Sequence, residues 1–306
     1  MAATRIEYSD AVWNPVTGCS PVSEGCQHCY AGRMAYRLRG RFGYPVDEPF
    51  RVTLHPERLE EPLRWRKPRR IFAVSMGDLF HESVDEKYIA KVFAVMDLAK
   101  QHTFLILTKH PRRALELLTN ENFQFHVGWF ESQAIREFGL PEPKEIGPWP
   151  LRNVWVGVTA ENQARADERI PILLQIPAVV RWVSCEPLLG PIILGRLVWF
   201  REGFDPPWFQ EQFYGRRRID WVVCGAETGP GARPCDPEWV RSLRDQCQAA
   251  GFPFFFKRWS NGSSGCALTG NCSPPVFWRR WRRRWSPPAA GGSGCSPTRS
   301  ANPSPS

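Results

Sequence analysis

Apolar positions fall in short, nearly continuous runs, separated by longer stretches with helical spacing. The runs are "RIFAVS" (70–75), "TFLILT" (103–108), "NVWVGVT" (153–159), "VVRWVSC" (179–185), "IDWVVCG" (219–225) and "FPFFFK" (252–257). Runs of this length, apolar on both faces, read as strands of a parallel sheet covered on both sides. Between the first two, "DEKYIAKVFAVMDLAKQH" places Ile89, Val92, Phe93, Met96 and Ala99 at i, i+3, i+4, i+7 and i+10, which is one helical stripe. "PRRALELLTN" puts Pro111 near a helix start, and "ENQARADERIPILLQIP" follows the third run. "DPEWVRSLRDQCQAAG" carries its own punctuation, with Asp236 as N-cap, Pro237 in the first turn and Gly251 at the end. The alternation predicts an α/β fold, a partial or full parallel β/α barrel of the TIM-like kind with six or seven strands. A doubly wound open sheet is the alternative. Two segments fit the alternation poorly and are expected to decorate it, at about 120–150 and about 196–218.

Composition divides the chain near residue 260. Residues 1–260 read as one barrel domain. Residues 261–306 are rich in Gly, Ser, Pro, Arg and Trp and contain no acidic residue. Three readings of this tail stay open: a disordered extension, a Trp-Arg cluster at 278–285 that binds nucleic acid, or a segment read in a shifted frame. The tail also explains the charge. Of 40 basic residues six follow Ser260, and none of the 31 acidic ones does, which leaves the first 260 residues at 34 against 31. A body so nearly neutral gives little support for a duplex-binding surface. No apolar run reaches the roughly 18 residues needed to cross a bilayer, and the N-terminus lacks the plan of a signal peptide. The expectation is a cytoplasmic protein without a membrane partner.

In parallel α/β folds the chemistry sits at the C-terminal ends of the strands. There the sequence offers Asn14, Asp78 and His81, Lys109 and His110, Glu161 and Asn162, Ser184 and Glu186, then Glu227 and Arg233 in the glycine-rich "GAETGPGARP". Each alone reads as well as a cap or a surface charge. Together they predict a polar pocket in a barrel mouth.

Ten cysteines are many for a reducing compartment, yet their placement argues against a disulfide framework. Cys185 and Cys224 lie in apolar strands. Cys19, Cys26 and Cys29 lie in a polar loop, "GCSPVSEGCQHCY". Cys-x2-Cys at 26–29 can hold one metal ion or one cluster face, and Cys19 adds a third ligand. A structural zinc site needs four ligands, and no second Cys-x2-Cys completes one, although His28 is available. Three thiolates on a four-iron cluster leave one iron open for chemistry.

A three-cysteine loop after the first strand of a parallel barrel, with an aromatic after the last cysteine, resembles the radical SAM superfamily. The spacing here is Cys-x6-Cys-x2-Cys, longer in its first interval than the usual Cys-x3-Cys-x2-Cys. More closely, "WNPVTGCSPVSEGCQHCYA", "SMGDLF", "LTKHP", "VGVTAEN", "SCEPLLGPI", "DWVVCGAETGPGARP" and "FFFKRW" resemble, in order, a radical-SAM-like bacteriophage and prophage protein family of unknown function. The resemblance runs from about residue 6 to 259, and the tail does not share it. It implies that Cys19, Cys26 and Cys29 hold a [4Fe–4S] cluster whose fourth iron binds S-adenosylmethionine. One-electron cleavage then gives a 5′-deoxyadenosyl radical. By position, Tyr30 lies beside the adenine and "SMGD", with Ser75, Gly77 and Asp78, meets the methionine amino group. Thr159, Glu161 and Ser184 line the cofactor pocket, and Lys109, Glu186 and Glu227 serve the reaction. The implied partners are a small-molecule, nucleotide or nucleic-acid substrate and an electron donor such as flavodoxin or ferredoxin. The alternatives are a non-catalytic metal- or nucleic-acid-binding protein on the same barrel, and a zinc protein.

Overall fold

The computed structural model describes residues 6–140, 148–195 and 219–260. The expected decoration at 196–218 and the tail from 261 lie outside them. Seven strands form one sheet: β1 (Ala11–Trp13), β4 (Arg70–Ala73), β5 (Thr103–Thr108), β6 (Val154–Thr159), β7 (Val180–Cys185), β8 (Trp221–Cys224) and β9 (Phe254–Phe256). Every neighbouring pair is parallel, and the strands follow one another in chain order. A doubly wound sheet reverses its order at a switch point. This one never does, so the open-sheet alternative is excluded and the winding is that of a barrel. A separate antiparallel pair, β2 (Val16–Thr17) with β3 (Thr53–Leu54), lies beside the cysteine loop in sequence.

Ring contacts measure how far the sheet curls. β4 and β7 are three strand spacings apart, about 14 Å on a flat sheet. Yet Phe72 on β4 and Trp182 on β7 have ring centroids 6.2 Å apart. Tyr8, just before β1, lies 5.3 Å from Trp221 on β8 and 6.1 Å from Phe255 on β9. Trp182 stacks on Trp221 at 5.3 Å and fits because Gly157 on β6 has no Cβ, which would stand 2.5 Å from its indole. The sheet is therefore a partial barrel filled by aromatic side chains. β1 and β9 share no ladder. Arg258 Nη2 meets Glu7 Oε1 at 3.3 Å across that opening, and the Lys257 ammonium sits 5.8 Å from the Tyr8 ring centroid.

The period-2 alternation makes the second face of each strand the outer core. Ile71, Ala73, Phe104, Ile106, Val156, Val158, Val183 and Val222 are buried there, in one cluster with residues of the helices. Among the described residues the α-helices are α1 (Tyr30–Arg37), α2 (Glu86–Leu98), α3 (Pro111–Thr119), α4 (Glu121–Phe138), α5 (Gln163–Leu173) and α6 (Pro237–Ala249). Four of these six starts carry a side-chain cap. Asp85 accepts from the Lys87 and Tyr88 amides, and Asp236 accepts from the Glu238 amide. The segment expected only to decorate the fold is in large part α4. It buries Phe123, Val127, Phe130, Glu131 and Ile135, and it starts at an Asn120 cap.

Candidate functional site

The cysteine loop follows β1 and crosses the C-terminal ends of β5 and β6. Its entry is fixed by backbone geometry. Gly18 has φ +86°, and a Cβ there would stand 2.1 Å from the Arg51 carbonyl oxygen. Gly18 pairs with Gly77 in a single parallel bridge, which ties the cysteine loop to "SMGD". Val74 turns the chain out of β4 at φ +58°, a strained value for a β-branched residue. Beyond it, the Ser75 hydroxyl and the Met76 amide both donate to Asn14 Oδ1, at 3.2 and 3.0 Å.

A short 3₁₀ turn, Glu24–Cys26, then folds the loop back so that the Cys29 amide donates to the Cys26 carbonyl at 3.2 Å. All three thiols are free and half-buried. Burial, then the negative charges of Asp78, Cys26 and Cys29, pushes the Cys19 thiol up to about 12. Cys26 moves the other way. Burial opposes its ionisation but is outweighed by the Lys109 ammonium and by the Val22 and Ser23 amides. Lys109 Nζ lies 3.5 Å from Cys26 Sγ.

Lys109 belongs to a buried ion-pair network anchored on Glu161, which is 0% exposed. Glu161 accepts from Lys109 Nζ at 3.1 Å, from Arg169 Nη1 at 3.0 Å and from the Ser23 hydroxyl at 2.5 Å. These cations and the hydroxyl outweigh burial and hold the carboxyl below its usual range. Gly25 makes the approach possible, since a Cβ there would stand 2.4 Å from Glu161 Oε1. Arg169 comes from α5 and also donates to the Thr159 carbonyl at 2.9 Å. Arg169 and Ser23 were not singled out from sequence. The signal for Arg169 was present, because it shares the inward face of α5 with Ala166, Ile170 and Leu173.

The other candidates fall into groups. Asp78 is buried, and its carboxylate accepts from the Phe80 amide, the Thr108 hydroxyl and the Lys109 amide at 2.8–3.0 Å, joining the β4 and β5 loops. Thr159 and Ser184 are buried at strand ends. Glu186 pairs with Lys257 Nζ at 3.0 Å and accepts from the Ser184 hydroxyl at 3.4 Å. Glu227 pairs with Arg233 at 2.5 Å and lies 3.6 Å from His28 Nδ1. Arg233 also reaches the Glu24 carbonyl at 3.0 Å, closing the glycine-rich loop onto the cysteine loop. Tyr30 is 59% exposed at the start of α1.

Two histidines join Cys19. His81 Nε2 and the Ser20 hydroxyl are 2.7 Å apart, and the His81 and His110 rings are 5.4 Å apart. One ligand atom each from Cys19, His81 and His110 lies within 4.8 Å of the others. His110 Nε2 is buried without a hydrogen-bond partner. This grouping was not legible in the sequence, where both histidines read as ordinary strand-end residues.

Comparison with known proteins completes the description. A family model described as "Protein of unknown function (DUF5131)" matches residues 3–273, and the chain belongs to that family. No curated protein matches the chain. Among solved structures, the fold is similar to spore photoproduct lyase complexed with dinucleoside spore photoproduct, at 10% identity and a TM-score of 0.45, over 83% of this chain and 78% of that one. It is similar also to a cysteine-to-serine mutant of spore photoproduct lyase, at 11% identity and a TM-score of 0.43, over the same shares.

Proposed function

We propose that the chain is an iron–sulfur enzyme of the radical SAM type, with Cys19, Cys26 and Cys29 as the cluster ligands. The observation that carries this reading is three unbridged, half-buried thiols in one polar loop at the C-terminal ends of a parallel partial barrel, with Cys26 and Cys29 near enough to act electrostatically on Cys19 and an ammonium beside Cys26. The donor set fits the group, since soft thiolates suit an iron–sulfur cluster and a nearby cation favours the thiolate form. When bound, a [4Fe–4S] cluster and S-adenosylmethionine supply one-electron cleavage of the sulfonium to a 5′-deoxyadenosyl radical, the electron coming from a flavodoxin- or ferredoxin-type donor.

The chain's own residues do the rest. Lys109, held by Glu161, keeps positive charge at Cys26. Tyr30 offers a ring for the adenine. The Ser75–Gly77 stretch is better placed than the Asp78 side chain to meet the methionine amino group, because that carboxylate already accepts three internal hydrogen bonds. Arg233, paired with Glu227, ties the glycine-rich loop to the cysteine loop at the Glu24 carbonyl.

The test is anaerobic purification followed by visible spectroscopy and iron and sulfide analysis. The expected result is a brown protein that releases 5′-deoxyadenosine with dithionite and S-adenosylmethionine, with both properties lost in Cys26→Ala. A colourless chain containing zinc overturns the reading. A second reading rests on the Cys19, His81 and His110 grouping, which suits a single divalent ion. It predicts one metal per chain, no sulfide, and loss of the metal in His81→Ala. The cluster reading predicts that this variant keeps its iron and sulfide.

A further inference from the structure

The segment between Gly25 and Val46 contains Arg33, Arg37, Arg39 and Arg41 and no acidic residue. The first 260 residues carry 34 basic and 31 acidic side chains, so without these four arginines they stand at 30 against 31. That stretch, one helix and one loop starting next to Cys29, thus carries a local charge of +4. Arg37, Arg39 and Arg41 are exposed and make no ion pair among the described residues. Arg33 reaches across to the Thr228 carbonyl at 3.0 Å, so the strip adjoins the glycine-rich loop of the mouth.

Three aromatic rings are interleaved with these charges. Tyr30 and Tyr36 are each 59% exposed and Phe42 is 72% exposed. Tyr36 carries the Arg39 guanidinium at 5.7 Å from its ring centroid. Phe42 has φ +51°, a left-handed conformation that costs a non-glycine residue about 1 kcal/mol or more. The turn is held in place: the Phe42 carbonyl accepts from Arg58 Nη2 at 2.5 Å, and the Gly40 amide donates to the Tyr44 carbonyl at 2.9 Å. The fold thus supports a strained backbone whose result is an aromatic ring facing solvent. The apolar side of α1, Ala31 and Ala35, is packed against the protein. The exposed side therefore has no continuous apolar stripe for a lipid surface.

We propose that α1 and the loop through Phe42 bind single-stranded nucleic acid, with Tyr36 and Phe42 stacking on bases and Arg37, Arg39 and Arg41 meeting phosphates. Exposed rings need unpaired bases, which separates this partner from a duplex. The proposal deepens the preceding reading by naming the substrate class of that mouth, and it rests on that reading only for the reaction. Binding needs no cluster.

The test is fluorescence anisotropy of the full chain with a labelled single-stranded oligonucleotide, across a salt series. A hairpin duplex and anionic vesicles serve as competitors. The expected result is salt-sensitive binding, with Tyr36→Ala and Phe42→Ala each weakening it about 5-fold or more at constant salt. Replacing Arg37, Arg39 and Arg41 together by Ala is expected to reduce the salt slope by about 2, since each single-strand phosphate contributes about 0.7. The same measurements on a chain with Arg279, Arg280, Arg282, Arg283 and Arg284 changed to Ser keep the tail's contribution apart. Unchanged binding in the helix and loop variants overturns the proposal. So does equal or better competition by duplex or by vesicles, or an absence of binding at low salt. Iron and colour measured on the same samples report on the cluster reading separately.

Discussion

Changing Glu161 to Gln tests whether the network under the cysteine loop holds the site together. The glutamine keeps the volume and can still accept from Ser23, but it removes the charge shared by Lys109 and Arg169. Arg169 is then a buried cation with the Thr159 carbonyl as its remaining described acceptor, and its Nε has no partner even in the intact protein. Removing one member of a buried pair costs about 3–5 kcal/mol. Lys109 keeps some water, so the lower end, about 3 kcal/mol, is expected. For a domain of this size that lowers Tm by about 6–12 °C. Urea unfolding at pH 7 measures the loss. The pH dependence follows from the direction of the shift. Glu161 titrates below its ordinary value of 4.5, so its contribution is present above that value and is lost as pH falls through the folded one. The gap between wild type and variant is therefore widest above about pH 5 and closes in acid. Adding Arg169→Met to Glu161→Gln removes the stranded cation and is expected to recover about 1–2 kcal/mol. A single-variant loss under about 1 kcal/mol, or a gap that does not change with pH, refutes the argument.

Glu131 on α4 is pushed up to about 8 by burial and by Asp97 on α2. The folded state therefore retains a proton that the unfolded chain loses near 4.5, and stability falls as pH rises toward 8. Glu131→Gln is expected to match wild type near pH 5 and to exceed it by about 2–4 kcal/mol at pH 9, read by urea unfolding. In the metal-free chain at pH 8, brief iodoacetamide treatment is expected to label Cys26 well before Cys19, because Lys109 lowers the first thiol while burial and Asp78 raise the second; peptide mass spectrometry reads the order. Gly18→Ala meets the Arg51 carbonyl in a left-handed conformation, so Tm is expected to fall by several degrees and iron loading to fall with it.

Most strands and helices were legible because each run carried its own periodicity and punctuation, as Asp236, Pro237 and Gly251 bound one helix; α4, in a segment expected only to decorate the fold, was not. The barrel expected ahead of an open sheet is the fold observed, although strand order, which separates the two, is a long-range property that no single run encodes. The aromatic filling explains in retrospect why Phe72, Trp155, Trp182 and Trp221 occupy alternate positions of their strands. At the site, the sequence located the rim residues but not their pairing. Asp78 and Glu161 read as pocket groups, yet their oxygens are taken up within the fold. The Asp78–Thr108 and Glu161–Ser23 contacts join residues 30 and 138 positions apart, which no local pattern encodes.

That pairing bears on the chemistry. A general acid or base works best with its pKa near the operating pH and with a free edge toward substrate. The rim carboxylates are arranged otherwise. Glu161 is clamped by Lys109 and Arg169, Glu186 by Lys257, and Glu227 by Arg233. Glu161 and Glu227 are both held below the usual carboxylate range, burial being outweighed by their basic partners. Lys109 is shifted upward, Glu161 and Cys26 outweighing burial, so it stays charged and is a poor base. Carboxylates and a lysine locked in ion pairs keep their charges fixed and have little capacity for proton transfer near neutrality. Those properties suit a reaction whose bond breaking is carried by a bound cofactor while the protein orients it. The three thiols at this rim are unbridged and half-buried, and their opposite electrostatic surroundings distinguish Cys26 from Cys19. The rim electrostatics therefore favour cofactor chemistry over hydrolysis by paired carboxylates, independently of the spacing of the cysteines.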